Sequence, residues 1–593
     1  MGGRWIVRRF SMRRPPGIRF ETVSPPTTES LPRMDVPLFV GLVNRGTVEH
    51  PIPSHRPVPV ESLEQFTQIF GEAVVLGWNS AFKRTESSWL PRAVRSFFDQ
   101  GGRRCWVVGV PFKTGEVLPL ERWVDEALVA ATATDLPALS EAVRQQRPGL
   151  QLLRGIHAAL TVAEPSLIAV PDLYHGRVRL AATAPELSGG VEPESTVEDR
   201  AEFGRCGRRL WSAPQLRLGD PIEDGDGLRL TWAHTDAEAD ACELQESTED
   251  SFREPTRVYR GSELEVVLWG RAKRALRYRA RSWGGGHVSD WSTVVSVPAV
   301  ETAGMEVEPL DAARIAEILG VHRALLRICA ARGDTVAVLS APAAWRTEAV
   351  EHFVAAIPDP AAPAIPVGNN SILPLTYAER RILSYGMLVH PWLVEREGDG
   401  GLVTVPPDGA MIGLIVKRTL ARGAWIAPGN EPVRGALGLE PVFDRAEQRR
   451  LISAGVNVFS TEPHGLVSLT ANTLTADEEF RPLVIRRLLA LLRRLALERG
   501  QHYAFEPLGE TLLRTVQHSF EEMLGRMFAG GAFAGRTRRA AFQVDTGPSV
   551  NPPTQFDLGR FVVELRVAPA LPLTFITVRL EQAGERGVVT EVE

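Results

Sequence analysis

The stretch "LPRAVRSFFDQGGRRCWVVGV" (residues 90–110) decides how the chain is to be read. Its first part, 90–102, is a helix closed by glycine, and "RRCWVVGV" (103–110) is the buried strand that follows. A helix, a glycine stop and an apolar strand in direct succession make an α/β unit. The same grammar extends outward on both sides. "VPLFVGLV" (36–43) reads as a buried strand, "SLEQFTQIFG" (62–71) as a Ser-capped helix, and "PSLIAVPDL" (165–173) as a further strand.

The rhythm changes at residues 212–298, where short strands follow one another: "LRLTW", "ACELQES", "RVYRG", "LEVVLWG", "RYRARSW" and "VVSVP". Their spacing is that of a β-sandwich, with "EDGDG" (223–227) and "WGGGH" as turns. The order Trp232, "ELQES", "YRARS", "SDWS" resembles a fibronectin type III domain. That resemblance implies a core tryptophan on the second strand at Trp232 and a corner tyrosine at Tyr278. It departs at Cys242, which stands where an aromatic is usual. Past it the α/β pattern resumes, with "DAARIAEILGVHRALLRICAARG" (311–333) as a helix and "DTVAVLSAP" (334–342) as a strand. The sandwich therefore interrupts a domain.

The expected organisation is an extended arm over 1–35 and an α/β region over 36–211 plus 299–480. An all-β insert occupies 212–298, and an α+β region occupies 481–593. In the arm, "PPGIRFETVSPPTTESLPRMD" (15–35) is too proline-rich for a helix. Its "GIRFETV" alternates Ile18, Phe20 and Thr22 against polar neighbours, as a strand seeking a partner surface does. In the last region, "LVIRRLLALLRRLALERG" (483–500) places Val484, Leu488, Leu491, Leu492 and Leu495 on one face, with arginines expected in solvent. A second helix is expected over about 509–528, followed by three strands. The last, "LTFITVRLEQ", alternates Ile576, Val578 and Leu580 against Thr577 and Arg579. It reads as an edge or exchanged strand.

Composition narrows the function more than it names it. The chain has 593 residues, 44% hydrophobic and 23% charged, with a net charge of -5, which does not point to nucleic acid. Cys105, Cys206, Cys242 and Cys329 lack ligand or disulfide spacing and read as buried free thiols of a protein assembled in a reducing cytoplasm. No apolar run reaches 18 residues, so no membrane insertion is expected. There is no GxxxxGK[ST], GxGxxG, HExxH or GxSxG, so no cofactor, metal or catalytic residue is assigned and the chain reads as a non-enzyme. His464 reads as a loop histidine, "EDGDG" as a hairpin turn, and "RGD" (332–334) as a helix end with a weak claim to integrin binding.

What remains is a set of phrases in fixed order: "PPGIRFETVSP", "VPLFVGLV", "AVRSFFDQGGRRCWVVGV", then, beyond the insert, "HPWL", "PPDGAMIGLIVKRTLARGAWIAPGNEPVRGALGLEP", "LISAGVNVFS" and "YAFEPLGETLLRTVQHSF". Together they resemble the tail sheath proteins of contractile phage tails and contractile injection systems, from about residue 15 to 580 without the insert. A departure is "LVSLTANTLTAD" (466–477), where many members carry a Trp-Gly-Ala-Arg-Thr-like phrase. The resemblance implies an α/β (α+β) multidomain sheath fold, here with an immunoglobulin/fibronectin III-like insert on the outer surface. It implies hexameric rings of the chain itself, stacked around an inner tube protein, with baseplate and terminator or cap proteins at the ends. It implies contraction that drives the tube through a target envelope, in a phage tail or phage tail-like particle assembled in the cytoplasm. The insert would be free for a cell-surface ligand. Residues Ile18, Phe20 and Thr22 of the arm, and Ile576, Val578 and Leu580 near the end, would pair with neighbouring subunits. In "AWIAPGNEPVRGALGLEP" (424–441) the glycines match no phosphate loop. They read as allowing close backbone approach, with Arg434 a structural or inter-subunit pairing residue. The alternative is a surface adhesin or carbohydrate-binding protein built on the fibronectin-like module.

Overall fold

The computed structural model describes residues 31–593 except 45–51, 80–83, 113–119, 133, 139–152, 181–211, 219–227, 235–238, 248–251, 253–254, 269–275, 285–286, 298–304, 397–400, 504–505, 508, 553, 555–558, 571–575, 584–585 and 593. The arm strand at Ile18, Phe20 and Thr22, the "EDGDG" turn and Cys206 lie outside the described residues. Residues 33–593 form one compact unit.

The centre of this unit is an eight-stranded sheet. Its strands in chain order are β1 (Pro37–Asn44), β2 (Pro57–Val60), β3 (Cys105–Phe112), β4 (Leu167–Ala169), β5 (Val336–Ser340), β6 (Gly386–His390), β7 (Val456–Glu462) and β8 (Gly465–Ser468). In space they run β2-β3-β1-β4-β5-β6-β7-β8. Neighbours from β3 to β7 are parallel, while β2 and β8 close the two edges antiparallel. Strands β4 and β5 pair directly although the insert lies between them in sequence. The α/β pattern on either side of the insert thus builds one sheet.

A parallel sheet needs cover on both faces, which explains its near-continuous apolar runs. All eight residues of β1 are buried. Leu38, Val40 and Leu42 enter one core, and Phe39 and Val43 enter the other. Helix α2 (Ala312–Arg332) contributes Ile318, Val321, Leu325 and Ile328 to the first core. Helices α1 (Leu90–Asp99) and α3 (Asp408–Arg422) cover the second with Leu90, Phe97, Met411 and Ile415. Helix α2 begins at Asp311, whose Oδ1 accepts from the Arg314 amide at 2.6 Å, and ends at the left-handed Gly333.

Among the described residues of the insert, the regular elements are strands. Strands Glu265–Leu268, Leu228–Ala233 and Gln215–Leu218 form one sheet in that order. In the other, Thr256–Gly261, Ala241–Ser247, Leu276–Gly284 and His287–Val288 lie side by side, with Val295–Val297 also on Leu276–Gly284. Leu230, Trp232, Cys242, Leu244, Tyr278 and Ala280 fill a core of their own. The strands flanking the insert, Val178–Leu180 and Met305–Val307, pair antiparallel, so the chain leaves and returns at one place.

The C-terminal region differs from expectation in two respects. Helix α4 (Leu483–Tyr503) does not present its arginines to solvent: Arg486 is 3% and Arg487 1% exposed. The strand carrying Ile576, Val578 and Leu580 (Ile576–Ala583) is not an edge within the chain. It lies between Phe561–Val567 and a last strand, Arg586–Val592, in a four-stranded antiparallel sheet whose other edge is Phe542–Asp545. Ala583 pairs antiparallel with Arg586, and the further strand that starts there moves Ile576–Ala583 inside the sheet.

Candidate functional site

A dense polar arrangement lies where the chain enters β1. Three segments converge there: residues 33–35, the stretch 159–165 before β4, and 332–335 at the turn from α2 into β5. Each arrives with main-chain carbonyls that lie ahead of the strands, beyond the reach of the sheet's own ladder. Guanidinium groups fill them. Arg332 donates to the carbonyls of Ala159 (2.8 Å), Ala163 (3.0 Å), Pro165 (2.9 Å) and Val162, and to the Thr335 hydroxyl at 2.7 Å. From α4, Arg494 donates to Arg33 (2.7 Å), Glu164 (2.8 Å) and Pro165 (2.5 Å) carbonyls and pairs with Asp334 at 3.0 Å. Arg487, one heptad earlier on the same helix face, donates to the Met34 carbonyl at 2.6 Å and the Thr419 hydroxyl of α3 at 2.8 Å.

Burial depresses the pKa of Arg487 to about 9, with Arg494 adding repulsion and Asp35 opposing it. It remains a cation at neutral pH and depends on its oxygen partners. The planar fork suits this work, since five donors fixed in one plane reach several spread-out carbonyls that the compact ammonium of a lysine cannot span. The result is a rigid root for the arm. Arg33 adds a fork onto Asp35, at 2.6 and 3.0 Å. The "RGD" at 332–334 belongs to this root, with Arg332 1% and Asp334 8% exposed. It is a buried brace, and integrin binding is excluded by that burial.

A second braced region holds "AWIAPGNEPVRGALGLEP". Gln100, at the end of α1, acts as a strand surrogate: its side-chain Oε1 accepts from the Arg434 amide and its Nε2 donates to the Arg434 carbonyl, both at 2.9 Å. Val433 and Asn430 amides donate to Leu466 and Ser468 carbonyls at 2.8 and 3.1 Å. The Arg434 side chain is exposed. The glycines do not serve close approach. A Cβ on Gly429 would lie 4.0 Å from Ser468 O and one on Gly438 3.8 Å from Val394, which is ordinary contact. Gly435 is needed for its φ of 83°. Close approach falls instead to Gly409 and Gly413 of α3, where added Cβ atoms would meet Ala93 O at 2.4 Å and Gln100 Cβ at 2.6 Å.

A third polar cluster is fully interior. Asp172 accepts from the amides of Leu42 (2.7 Å), Leu90 (3.3 Å) and Trp89, pinning β1 to the start of α1. His175 bridges Asp172 and Glu86 at 3.2 Å each, stacked on Trp89 at 3.5 Å between ring centroids. Burial disfavours its charge, but the two carboxylates outweigh it and raise its pKa. Asp408, at the start of α3, is pushed up to about 7 by burial, and Asp172 adds to the rise.

The structure leaves the sequence-derived positions apart. Arg434 lies on the α1–α3 side. Ile576, Val578 and Leu580 lie on an interior strand of the terminal sheet, and the arm residues lie outside the described residues. His464 is an exposed turn residue whose Nε2 lies 2.9 Å from Asn430 Oδ1. The sequence reading does not foresee the arginine root; its one signal is the seven-residue spacing of Arg487 and Arg494, which puts both on one helix face. Cys105, Cys242 and Cys329 are buried free thiols, as expected, with burial pushing each thiol up. Among the described residues no helix is long and apolar enough to cross a membrane, and no cluster of three potential metal ligands occurs.

No family model matches the sequence, and no curated protein matches it. Among solved structures, the chain is similar to one in the anti-feeding prophage (AFP) baseplate in its contracted state. Identity is 16% and the TM-score 0.50, over 95% of this chain and 96% of that one. A chain of the AFP helical sheath in its contracted state aligns at 15% identity and a TM-score of 0.46, over 95% and 97% of the two chains. A chain of the sheath complex of an extracellular contractile injection system, PVC, in its contracted state gives 13% and 0.48, over 95% and 96%. The first likeness is one of fold, and it runs through nearly the full length of both chains.

Proposed function

We propose that this chain is a structural subunit of a contractile sheath. The observation that carries the reading is the fold shared with the AFP baseplate chain across 95% of the sequence, at a TM-score of 0.50. The ordered sheath-like phrases on both sides of the insert support it independently of that fold. In this reading six copies form a ring, rings stack helically around an inner tube, and baseplate and cap proteins bound the stack. The tail-like particle assembles in the cytoplasm, and contraction drives the tube through a target envelope without chemical fuel. A gain of only about 2–3 kcal/mol per subunit, roughly 100 Å2 of extra apolar burial at about 25 cal/mol per Å2, suffices when summed over many subunits. The domain division at 35, 212, 298 and 480 and the fibronectin III identity of the insert, placed on the outer surface, belong to the same proposal. The adhesin alternative is not favoured, because it gives no role to a fold match extending far beyond the insert.

Connections between subunits would use main-chain pairing, which survives rigid-body rotation when the linking arm is anchored at its base. The arm strand with Ile18, Phe20 and Thr22 would add to a neighbour's terminal sheet. Ile576, Val578 and Leu580, with the last strand beyond them, would form the receiving or exchanged part, and Arg434 would pair at a subunit contact. The arginine root supplies the fixed base. Negative-stain microscopy of purified protein tests the reading: striated tubes are expected, and dispersed particles at high concentration would overturn it. Deleting 1–24 or 581–593 is expected to abolish ordered tubes while the monomer stays folded. Unimpaired tubes from both truncations would remove the strand-pairing claim.

A further inference from the structure

The strand Leu276–Gly284 of the insert alternates without a break. Leu276, Tyr278, Ala280 and Ser282 are buried, while Arg277, Arg279, Arg281 and Trp283 are half-buried on the opposite face. Facing them on the next strand are Ser247, Gln245 and Glu243. The strand beyond adds Arg257 opposite Gln245 and Arg260 opposite Glu243, both exposed. Five arginines therefore share one sheet face, those on a single strand about 7 Å apart.

Three of these cations lie over aromatic rings. Arg279 lies 4.3 Å from the ring centroids of both Phe252 and Trp291, Arg281 lies 4.4 Å from Trp291, and Arg260 lies 3.9 Å from Trp283. Arg279 also donates to Gln245 Oε1 at 2.9 and 3.2 Å. Arg281 shows the ligand chemistry the row favours, because it already binds a carboxylate, Glu243 Oε2, at 3.0 Å. Stacked guanidinium groups lose little conformational freedom on binding, and their fork matches a carboxylate.

We infer that this face binds an extended carboxylate-bearing polysaccharide. Charge complementarity selects a polyanion. The ring faces are covered by guanidinium groups and offer no platform for stacked bases, which disfavours single-stranded nucleic acid. The inference holds whether or not the chain is a sheath subunit. Its test is biolayer interferometry of the full chain on immobilised alginate at low salt, with neutral dextran and a single-stranded oligonucleotide as comparisons. Alginate is expected to bind, more weakly as salt screens the contacts, and dextran not at all. The double variant Arg257→Glu, Arg260→Glu is expected to weaken binding about tenfold or more with only a small change in thermal unfolding, since both residues are exposed and only the Arg260–Trp283 stack is lost. Glu243→Gln, which releases Arg281, is expected to strengthen it. The inference is overturned by absent alginate binding, by a double variant that binds like the parent, or by tighter binding of the oligonucleotide. Loss of self-assembly in the double variant without alginate binding by the parent would instead make the face a contact between copies.

Discussion

Gly409 illustrates what a single residue decides here. It sits where α3 crosses α1, and a side chain there would press on the backbone of Ala93, which has nowhere to go. Gly409→Ala is therefore expected to destabilise the protein by ~1–3 kcal/mol, read as a lower thermal midpoint, whereas Gly438→Ala should be close to neutral. Its neighbour Asp408 governs a pH effect. Burial holds its pKa near 7, against 3.8 when exposed, and its Oδ2 has no hydrogen-bond partner. Between those values the native state keeps a proton that the unfolded state has released, so its contribution falls as pH rises from about 4 to about 7. Asp408→Asn is expected to raise the thermal midpoint at pH 8 and leave it nearly unchanged at pH 4. Equal shifts at both values would show that the carboxyl is not neutral in the fold. The buried histidines act in the opposite direction. Burial lowers His157 and His322 to about 3 and His390 to about 4, with Arg323 adding to the fall at His322. Their contribution is complete above about 6.5 and is lost as pH falls below it.

At the scale of elements, α4 ties the terminal region to the sheet through its arginines more than its leucines would suggest. Removing one partner of a buried charged network leaves several carbonyls unpaired at once. Arg494→Ala is expected to cost ~2–4 kcal/mol and to expose the chain near residue 33 to limited proteolysis. Arg494→Lys should recover only part of this, because one ammonium cannot reach the carbonyls of Arg33, Glu164 and Pro165 together. Full rescue by lysine would mean that charge alone matters at the root. The terminal sheet shows a related point about ends. An alternating strand near a chain terminus reads as an edge, yet one further hairpin moves it inside, and the edge passes to Arg586–Val592.

For the whole molecule, excision of the insert is the informative change. The insert has its own core, and the strands that bracket it pair with each other. Replacing residues 212–298 by a short Gly/Ser linker is expected to leave the thermal midpoint of the remainder nearly unchanged and, in the sheath reading, to leave tube formation intact. A collapse of secondary structure on excision, followed by circular dichroism, would show that the sandwich is an integral part of the core.

Much of this architecture was written in local patterns. The apolar runs that became β1, β3, β4 and β5, the Ser62 and Asp311 caps and the strands of the insert all follow from periodicity and turn chemistry, which neighbouring residues determine between themselves. The α/β pattern that resumes behind the insert was legible too, and its strand β5 pairs with β4 from before it. Only the tertiary structure decided which glycines permit close approach, which arginines are buried, and which strand ends the terminal sheet. Those outcomes depend on segments far apart in the chain meeting at one point. Arg494 reaches Arg33 across 461 positions, and no local pattern records whether a cation faces water or a ring of carbonyls.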